Sequence, residues 1–280
     1  IAPNIRALEI GFEYAKENLE DACDIRVKKS NKTDGLILTS GNDAAGLGSV
    51  YGGATVCAWY PITPSTSMAE SFTNYCEDLR IDPETGKNNF AIIQAEDELA
   101  AVGMAIGANW NGARAFTATS GPGISLMGEF IGLAYFSEVP LVIFNIQRGG
   151  PSTGMPTRTQ QSDILACAFA SHGDTKHVLL FPSDPKECFD FAVEAFDLAD
   201  QLQTPVFFMS DLDLGMNDWS TPEFEWDDSR IIDRGKVLNY EDLENMDTEY
   251  GRYNDVDGDG IPYRTYPGTH PSKGAYFNRG

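Results

Sequence analysis

Thr55-Val56-Cys57-Ala58-Trp59-Tyr60-Pro61-Ile62-Thr63-Pro64-Ser65-Thr66 is the stretch that decides the fold. Its first five residues are apolar or β-branched with no polar alternation, which reads as a strand covered on both faces. Two prolines then remove backbone donors and stop the strand. Ser65 is a good N-cap, so the turn also serves to start a helix. A buried strand, a proline-bounded turn and a helix start make half of a strand-helix-strand unit.

The same pattern repeats outward from this segment. Apolar runs occur at Gly35-Leu36-Ile37-Leu38, Phe90-Ala91-Ile92-Ile93, Arg114-Ala115-Phe116-Thr117, Pro140-Leu141-Val142-Ile143-Phe144, His177-Val178-Leu179-Leu180-Phe181 and Pro205-Val206-Phe207-Phe208-Met209. Segments of helical length and spacing lie between them, as at Glu98 to Trp110, Ile124 to Phe136 and Pro185 to Leu202. Parallel strands need crossovers, so the alternation predicts an α/β domain with a doubly wound parallel sheet over residues 34–217. Residues 1–33 read as a helix around Ile5 to Ala15 and a polar link, the end of one unit and the joint to the next. Residues 218–280 are rich in Asp, Tyr, Gly and Pro and read as an irregular extension, with a short helix near Tyr240 to Met246. The chain opens on Ile1 and stops at Asn278-Arg279-Gly280, which reads as a piece of a longer polypeptide.

Composition narrows the function classes. A net charge of −22 with no basic stripe argues against nucleic-acid binding, which needs phosphate neutralisation. The charge speaks for solubility or for a basic partner. Apolar stretches are broken by polar residues well short of a membrane span. Cys23, Cys57, Cys76, Cys167 and Cys188 form no CxxC pair, so neither a zinc site nor an iron–sulfur cluster is encoded. Reduced thiols in a cytoplasmic protein are the expectation. With histidines at 172, 177 and 270 alone, a histidine-rich metal centre is excluded, and the site residues include no metal ligand.

Open parallel sheets bind ligands beyond the carboxyl ends of their strands. Four successive strand ends here carry unusual segments: Tyr60 to Thr66, Gln94-Ala95-Glu96-Asp97-Glu98, Ala118-Thr119-Ser120-Gly121-Pro122-Gly123, and Asn145-Ile146-Gln147-Arg148 running into Gly149-Gly150-Pro151-Ser152-Thr153-Gly154. Packing alone does not require this, so they are expected to converge on one cleft. Glu98 opens a helix rich in small and apolar residues, with buried types at 101, 102 and 105, and is a candidate to share a proton with a ring nitrogen. Arg148 follows a strongly apolar strand and precedes two glycines that let backbone approach a ligand, which suits a carboxylate partner. The Ser120-Gly121-Pro122-Gly123 amides would suit an anion, or simply a tight turn. The glycines of Gly41-Asn42-Asp43-Ala44-Ala45-Gly46-Leu47-Gly48 miss GxGxxG spacing and read as close helix-sheet packing. Asp255-Val256-Asp257-Gly258-Asp259-Gly260 matches the start of an EF-hand loop, but position 12 is Tyr266, so a structural cation remains open and a calcium switch does not fit.

Taken in order, Tyr60-Pro61-Ile62-Thr63-Pro64-Ser65-Thr66, Glu98 with Gly107 nine residues on, Thr119 to Gly123, and Gln147 to Gly154 resemble the alpha subunit of the 2-oxoacid:ferredoxin oxidoreductases of 2-oxoglutarate type. The likeness spans residues 34–217, and Gly251 to Gly280 also looks like family sequence. Residues 1–33 resemble the end of a fused gamma-type domain. The resemblance implies a thiamine diphosphate pyrimidine-domain fold in which Glu98 hydrogen-bonds the pyrimidine N1′ and favours the tautomer that takes the thiazolium proton. It implies that Tyr60, Pro61, Ile62 and Thr63 line the cofactor. Arg148 and Thr63 would bind the substrate, with Thr153 and Thr157 tuning side-chain preference. A beta subunit would hold Mg2+ with the diphosphate and a [4Fe–4S] cluster. Coenzyme A would be the co-substrate, ferredoxin the electron acceptor and a dimer of heterodimers the assembly. Gly258-Asp259-Gly260 is similar to the GDG motif that holds magnesium diphosphate, but no buried strand precedes it. The gamma-type segment favours 2-oxoglutarate, with pyruvate and branched-chain 2-oxoacids open. Two rivals stay open: a non-redox thiamine enzyme, and a scaffold that binds a partner without cofactor.

Overall fold

The computed structural model describes residues 1–20 and 24–274; Cys23 and the last six residues lie outside them. It divides into two units, Ile1–Asp34 and Gly35–Gly280. The first holds one helix, α1 (Ala2–Asn18), started by a proline and closed with Lys16 in its last turn, where a cation suits the dipole. None of its residues is buried. Ile5, Leu8 and Phe12 make an apolar stripe that is exposed among the described residues of this unit.

The second unit runs β1 (Leu36–Ser40), α2 (Gly41–Tyr51), β2 (Val56–Trp59), α3 (Thr66–Leu79), β3 (Ala91–Gln94), α4 (Glu98–Trp110), β4 (Ala115–Thr119), α5 (Gly121–Phe136), β5 (Leu141–Gln147), α6 (Ile164–Ala168), β6 (Val178–Leu180), α7 (Pro185–Leu202), β7 (Pro205–Asp211), α8 (Leu212–Met216), β8 (Asp218–Pro222) and α9 (Tyr240–Glu244). Six strands form a parallel sheet in the order β3-β2-β4-β5-β7-β6. The central strand β5 is buried at every position. Its Val142, Phe144 and Ile146 join a cluster with α2, α3 and α7, while Leu141 and Ile143 join another with α4 and α5. A two-residue period with apolar residues on both faces is what helices above and below a sheet require. Among the described residues no helix is long and apolar enough to cross a membrane.

Two strand expectations need correction. The run at Gly35 to Leu38 is a strand, but it does not join the parallel sheet. As β1 it pairs antiparallel with β8, Leu36 opposite Pro222 and Ser40 opposite Asp218. Leu36 and Leu38 are exposed, so this strand has a wet face and needs no second layer. The run at Phe90 to Ile93 supplies β3, which lies at the sheet edge and is mostly exposed rather than covered on both faces.

The glycines of α2 serve helix-helix rather than helix-sheet packing. A Cβ on Gly48 would lie 2.4 Å from the Phe189 carbonyl of α7, and one on Gly46 2.9 Å from the Phe72 nitrogen of α3. The extension beyond β8 is irregular apart from α9, whose start is a reciprocal capping box between Asn239 and Asp242. It wraps onto the sheet domain through charge. Arg114 donates to Asp200 (2.8 Å), to Asp197 (2.8 Å) and to the Asp233 carbonyl of the extension (2.5 Å). Arg264 of the extension reaches the other Asp200 oxygen at 2.7 Å.

Candidate cofactor and substrate site

The carboxyl ends of β2, β4 and β5, together with the start of α4, surround one cavity of about 610 Å³. That is the size of an ordinary small-molecule site, roughly 300–1,000 Å³. Ile62, Pro122 and Leu126 give it apolar walls, and Glu98, Arg148 and Asp163 bring charge to it.

Each charged group is placed by its element. Asp97 caps α4, accepting from the Ala100 N–H at 2.7 Å, so Glu98 falls in the first turn. Only 8% of Glu98 is exposed, and no described group of the chain donates to its carboxylate. Gly123 at the start of α5 makes room beside it: a Cβ there would lie 1.9 Å from Thr119 Oγ1 and 3.1 Å from Glu98 Cγ. Arg148, also 8% exposed, continues β5. Its Nη1 donates to the Thr63 carbonyl (2.9 Å) and to Thr157 Oγ1 (3.1 Å), while its buried Nε has no partner. A guanidinium fixed along one edge with a donor to spare is suited to receive a carboxylate.

Of the residues anticipated from sequence, Ile62, Glu98, Arg148 and Thr153 line the cavity. Thr63 and Thr157 stand behind Arg148 and hold it. Tyr60 and Pro61 are not among the lining residues. Ser65 sits at the N-cap position of α3 without capping it; its hydroxyl instead donates to the Ile62 carbonyl at 3.0 Å and tightens the turn. Pro64, which follows a cis peptide bond, offers its carbonyl to buried Asn42 at 2.9 Å.

Sequence reasoning missed Asp163. It stands at the return end of the glycine-rich loop after Arg148, and burial raises its pKa while a hydrogen bond from Asn145 lowers it. The signal was Asn145 itself, a polar residue inside an apolar strand, which must have a polar neighbour. The anion seat expected at Ser120 to Gly123 is faced by this carboxylate. The Asp255 loop holds a cation of its own: Lys236 Nζ lies 2.7 Å from Asp257, 2.8 Å from Asp259 and 3.0 Å from the Ile261 carbonyl. Asp255 is taken up by the backbone N–H groups of Gly258, Asp259 and Gly260. Among the described residues no group of three His, Cys, Asp or Glu could hold a metal ion.

An acid in an apolar, glycine-flanked wall fits a flat ring that is apolar on its faces and basic at one edge, which describes an aminopyrimidine. Fold and cavity together define a cofactor-binding domain of the open parallel-sheet class. The family described as pyruvate flavodoxin/ferredoxin oxidoreductase, thiamine diP-binding, matches residues 48–253, and the chain belongs to it. Its fold is that of the thiamine diphosphate pyrimidine domain.

Relatives agree with that placement. The alpha subunit of 2-oxoacid:ferredoxin oxidoreductase 1 from Sulfurisphaera tokodaii is 41% identical over 269 residues, 91% of this chain and 42% of the relative. The 2-oxoglutarate synthase subunit KorA of Methanothermobacter thermautotrophicus is 48% identical over 171 residues, 61% of this chain and 43% of that one. A solved 2-oxoglutarate:ferredoxin oxidoreductase from Magnetococcus marinus, with 2-oxoglutarate, coenzyme A and succinyl-CoA bound, superposes with a TM-score of 0.79 at 35% identity. That match covers 99% of this chain and 45% of the Magnetococcus chain. The chain spans less than half the length of the curated relatives it matches, between 32% and 44%.

Proposed function

We propose that this chain is the pyrimidine-binding, alpha-type part of a thiamine diphosphate-dependent 2-oxoacid:ferredoxin oxidoreductase. The reaction is oxidative decarboxylation of a 2-oxoacid, 2-oxoglutarate first, to the acyl-CoA, with electrons passed to ferredoxin. The observation that carries this is the meeting of Glu98 and Arg148 in one cavity with apolar walls. The 2-oxoglutarate preference is supported by the KorA relatives, by the Magnetococcus enzyme and by reading residues 1–33 as the end of a gamma-type domain.

The chemistry supplied by bound thiamine diphosphate is stabilisation of the carbanion left when a 2-oxoacid loses carbon dioxide. Glu98 holds the proton at the pyrimidine N1′, which its seat in the first turn of α4 puts at the cavity wall. Ile62 and Pro122, on the apolar walls, would border the ring and keep water from it. Arg148, fixed by Thr63 and Thr157, receives the substrate carboxylate through its spare donors, and Thr153 borders the substrate side chain.

The other half of the site belongs to a beta-type partner that holds the diphosphate, Mg2+ and a [4Fe–4S] cluster, in a cytoplasmic dimer of heterodimers. The surface of α5 supports an incomplete half. Leu126, Phe130 and Leu133 recur on one helical face that begins in the cavity wall, and Leu126, Leu133 and Phe136 are exposed. Native mass spectrometry of the purified complex tests the reading: a beta-type chain and thiamine diphosphate are expected together. In that complex Glu98→Ala is expected to lower turnover by at least about 100-fold with assembly intact. Absence of both cofactor and partner, or an active Glu98→Ala enzyme, would overturn it.

A further inference from the structure

The turn from Tyr60 to Pro64 carries Ile62, which lines the cavity, and the Thr63 carbonyl, which accepts from Arg148. Proline has no N–H, so Pro61 and Pro64 can be held by backbone hydrogen bonds only through their carbonyls. The N–H groups of Ser65 and Thr66 and the Ser65 hydroxyl are spent locally, on the Ile62 carbonyl. Among the described residues, two groups from elsewhere in the fold bond to this turn: Arg148 at the Thr63 carbonyl and Asn42 at the Pro64 carbonyl.

Asn42 lies in the first turn of α2, is 1% exposed and does not line the cavity. Its Nδ2 donates to the Pro64 carbonyl at 2.9 Å and to Ser67 Oγ at 2.8 Å, so one amide ties α2 to the turn and to the start of α3. Its Oδ1 is buried without a partner. A carbonyl only accepts, so the amide must face Pro64 with its nitrogen, and the idle oxygen follows from that orientation. Gly215 of α8 makes the room for it: a Cβ there would lie 2.7 Å from Asn42 Oδ1. An unpaired buried acceptor costs stability, and a side chain kept for packing alone has no need of one. Adjacent carbonyls of one short turn therefore divide the work. Pro64 is anchored by Asn42, and Thr63, together with Thr157, aligns Arg148.

We propose that Asn42 is a positioning residue for the substrate carboxylate: by holding the Pro64 carbonyl it sets the Thr63 carbonyl, and through that the direction in which Arg148 points. The inference rests on the 2-oxoacid reading above, and leaves Glu98 and Arg148 in their roles.

Asn42→Leu, made in the assembled enzyme, keeps much of the side-chain volume and removes the donor. The expected result is a fall in kcat/KM for 2-oxoglutarate of about ten-fold. Gly215→Ala, which leaves Asn42 in place and pushes on its amide, is expected to move kcat/KM the same way. A general loss of order would lower kcat/KM whatever stands at position 148, and a double-mutant cycle separates the two causes. In an Arg148→Ala background, Asn42→Leu is expected to cost no more than about two-fold. Calorimetric titration with N-oxalylglycine, a dicarboxylate of the same shape as 2-oxoglutarate whose amide carbonyl resists attack, reads the seat without turnover. Its affinity is expected to weaken by about ten-fold in Asn42→Leu. An unchanged kcat/KM in Asn42→Leu, or a fall of full size that persists without Arg148, overturns the proposal. If the parent complex turns over no 2-oxoacid, the functional reading fails, while equal N-oxalylglycine affinity in parent and Asn42→Leu would separately overturn the role of Asn42.

Discussion

His177 enters β6 with only 8% of its surface exposed, its ring against Tyr135 and Phe207 and its Nε2 3.0 Å from the Ala170 carbonyl. Burial pushes its pKa below the ordinary value, and the Ala170 bond opposes that only in part. The fold therefore favours the neutral ring. Its contribution is complete above the unfolded-state pKa of about 6.5 and is lost as pH falls toward the lower folded value. Melting temperature should fall as pH is lowered from 7 to 5, and the fall should be smaller in His177→Gln. A curve of equal slope in both proteins would place the loss elsewhere. At this same scale, sequence located Glu98 and Arg148 because strand-end chemistry is local in the chain. It could not show that Thr63 and Thr157 hold Arg148, nor that Asp163 shares the cavity, because those contacts join residues from separate loops.

Helix α2 shows how much of an element's role is readable. Its glycines announced close packing, and close packing is found. What they pack against was not legible, since a glycine marks an approach without naming the partner. Here the partners are α7 and α3, with a Gly48 Cβ position 2.4 Å from a carbonyl oxygen that cannot move without its helix. Gly48→Ala should therefore cost about 1–3 kcal/mol despite the higher helix propensity of alanine, read by urea denaturation. A gain in stability would show that α7 yields freely. The strand at Leu36 was likewise legible as a strand and misread as a member of the parallel sheet. Periodicity sets which faces are covered, and a run of four residues is too short to separate a half-covered strand from a fully covered one.

For the molecule as a whole, the sheet domain and the extension are joined through Arg114, buried to within 3% and shared among Asp197, Asp200 and the Asp233 carbonyl. Composition suggested an irregular extension, and it gave no sign of this clasp because Arg114 lies more than eighty residues from each of these three partners. Arg114→Ala leaves Asp200 buried with part of its countercharge gone, a change worth about 3–5 kcal/mol in buried networks. The expected result is an earlier chemical-denaturation midpoint together with proteolysis in 223–264 under native conditions. Protection equal to the parent's would show that the pairs of Arg230 with Asp197 and of Arg234 and Arg264 with Asp200 suffice. The pairing of β1 with β8 has a different kind of consequence. It sets the way into the sheet domain, at Leu36, beside the way out, at Pro222. Because that hem ties the domain's first residues to the start of the extension, upstream sequence can be exchanged while the sheet, the extension and the clasp between them stay as they are.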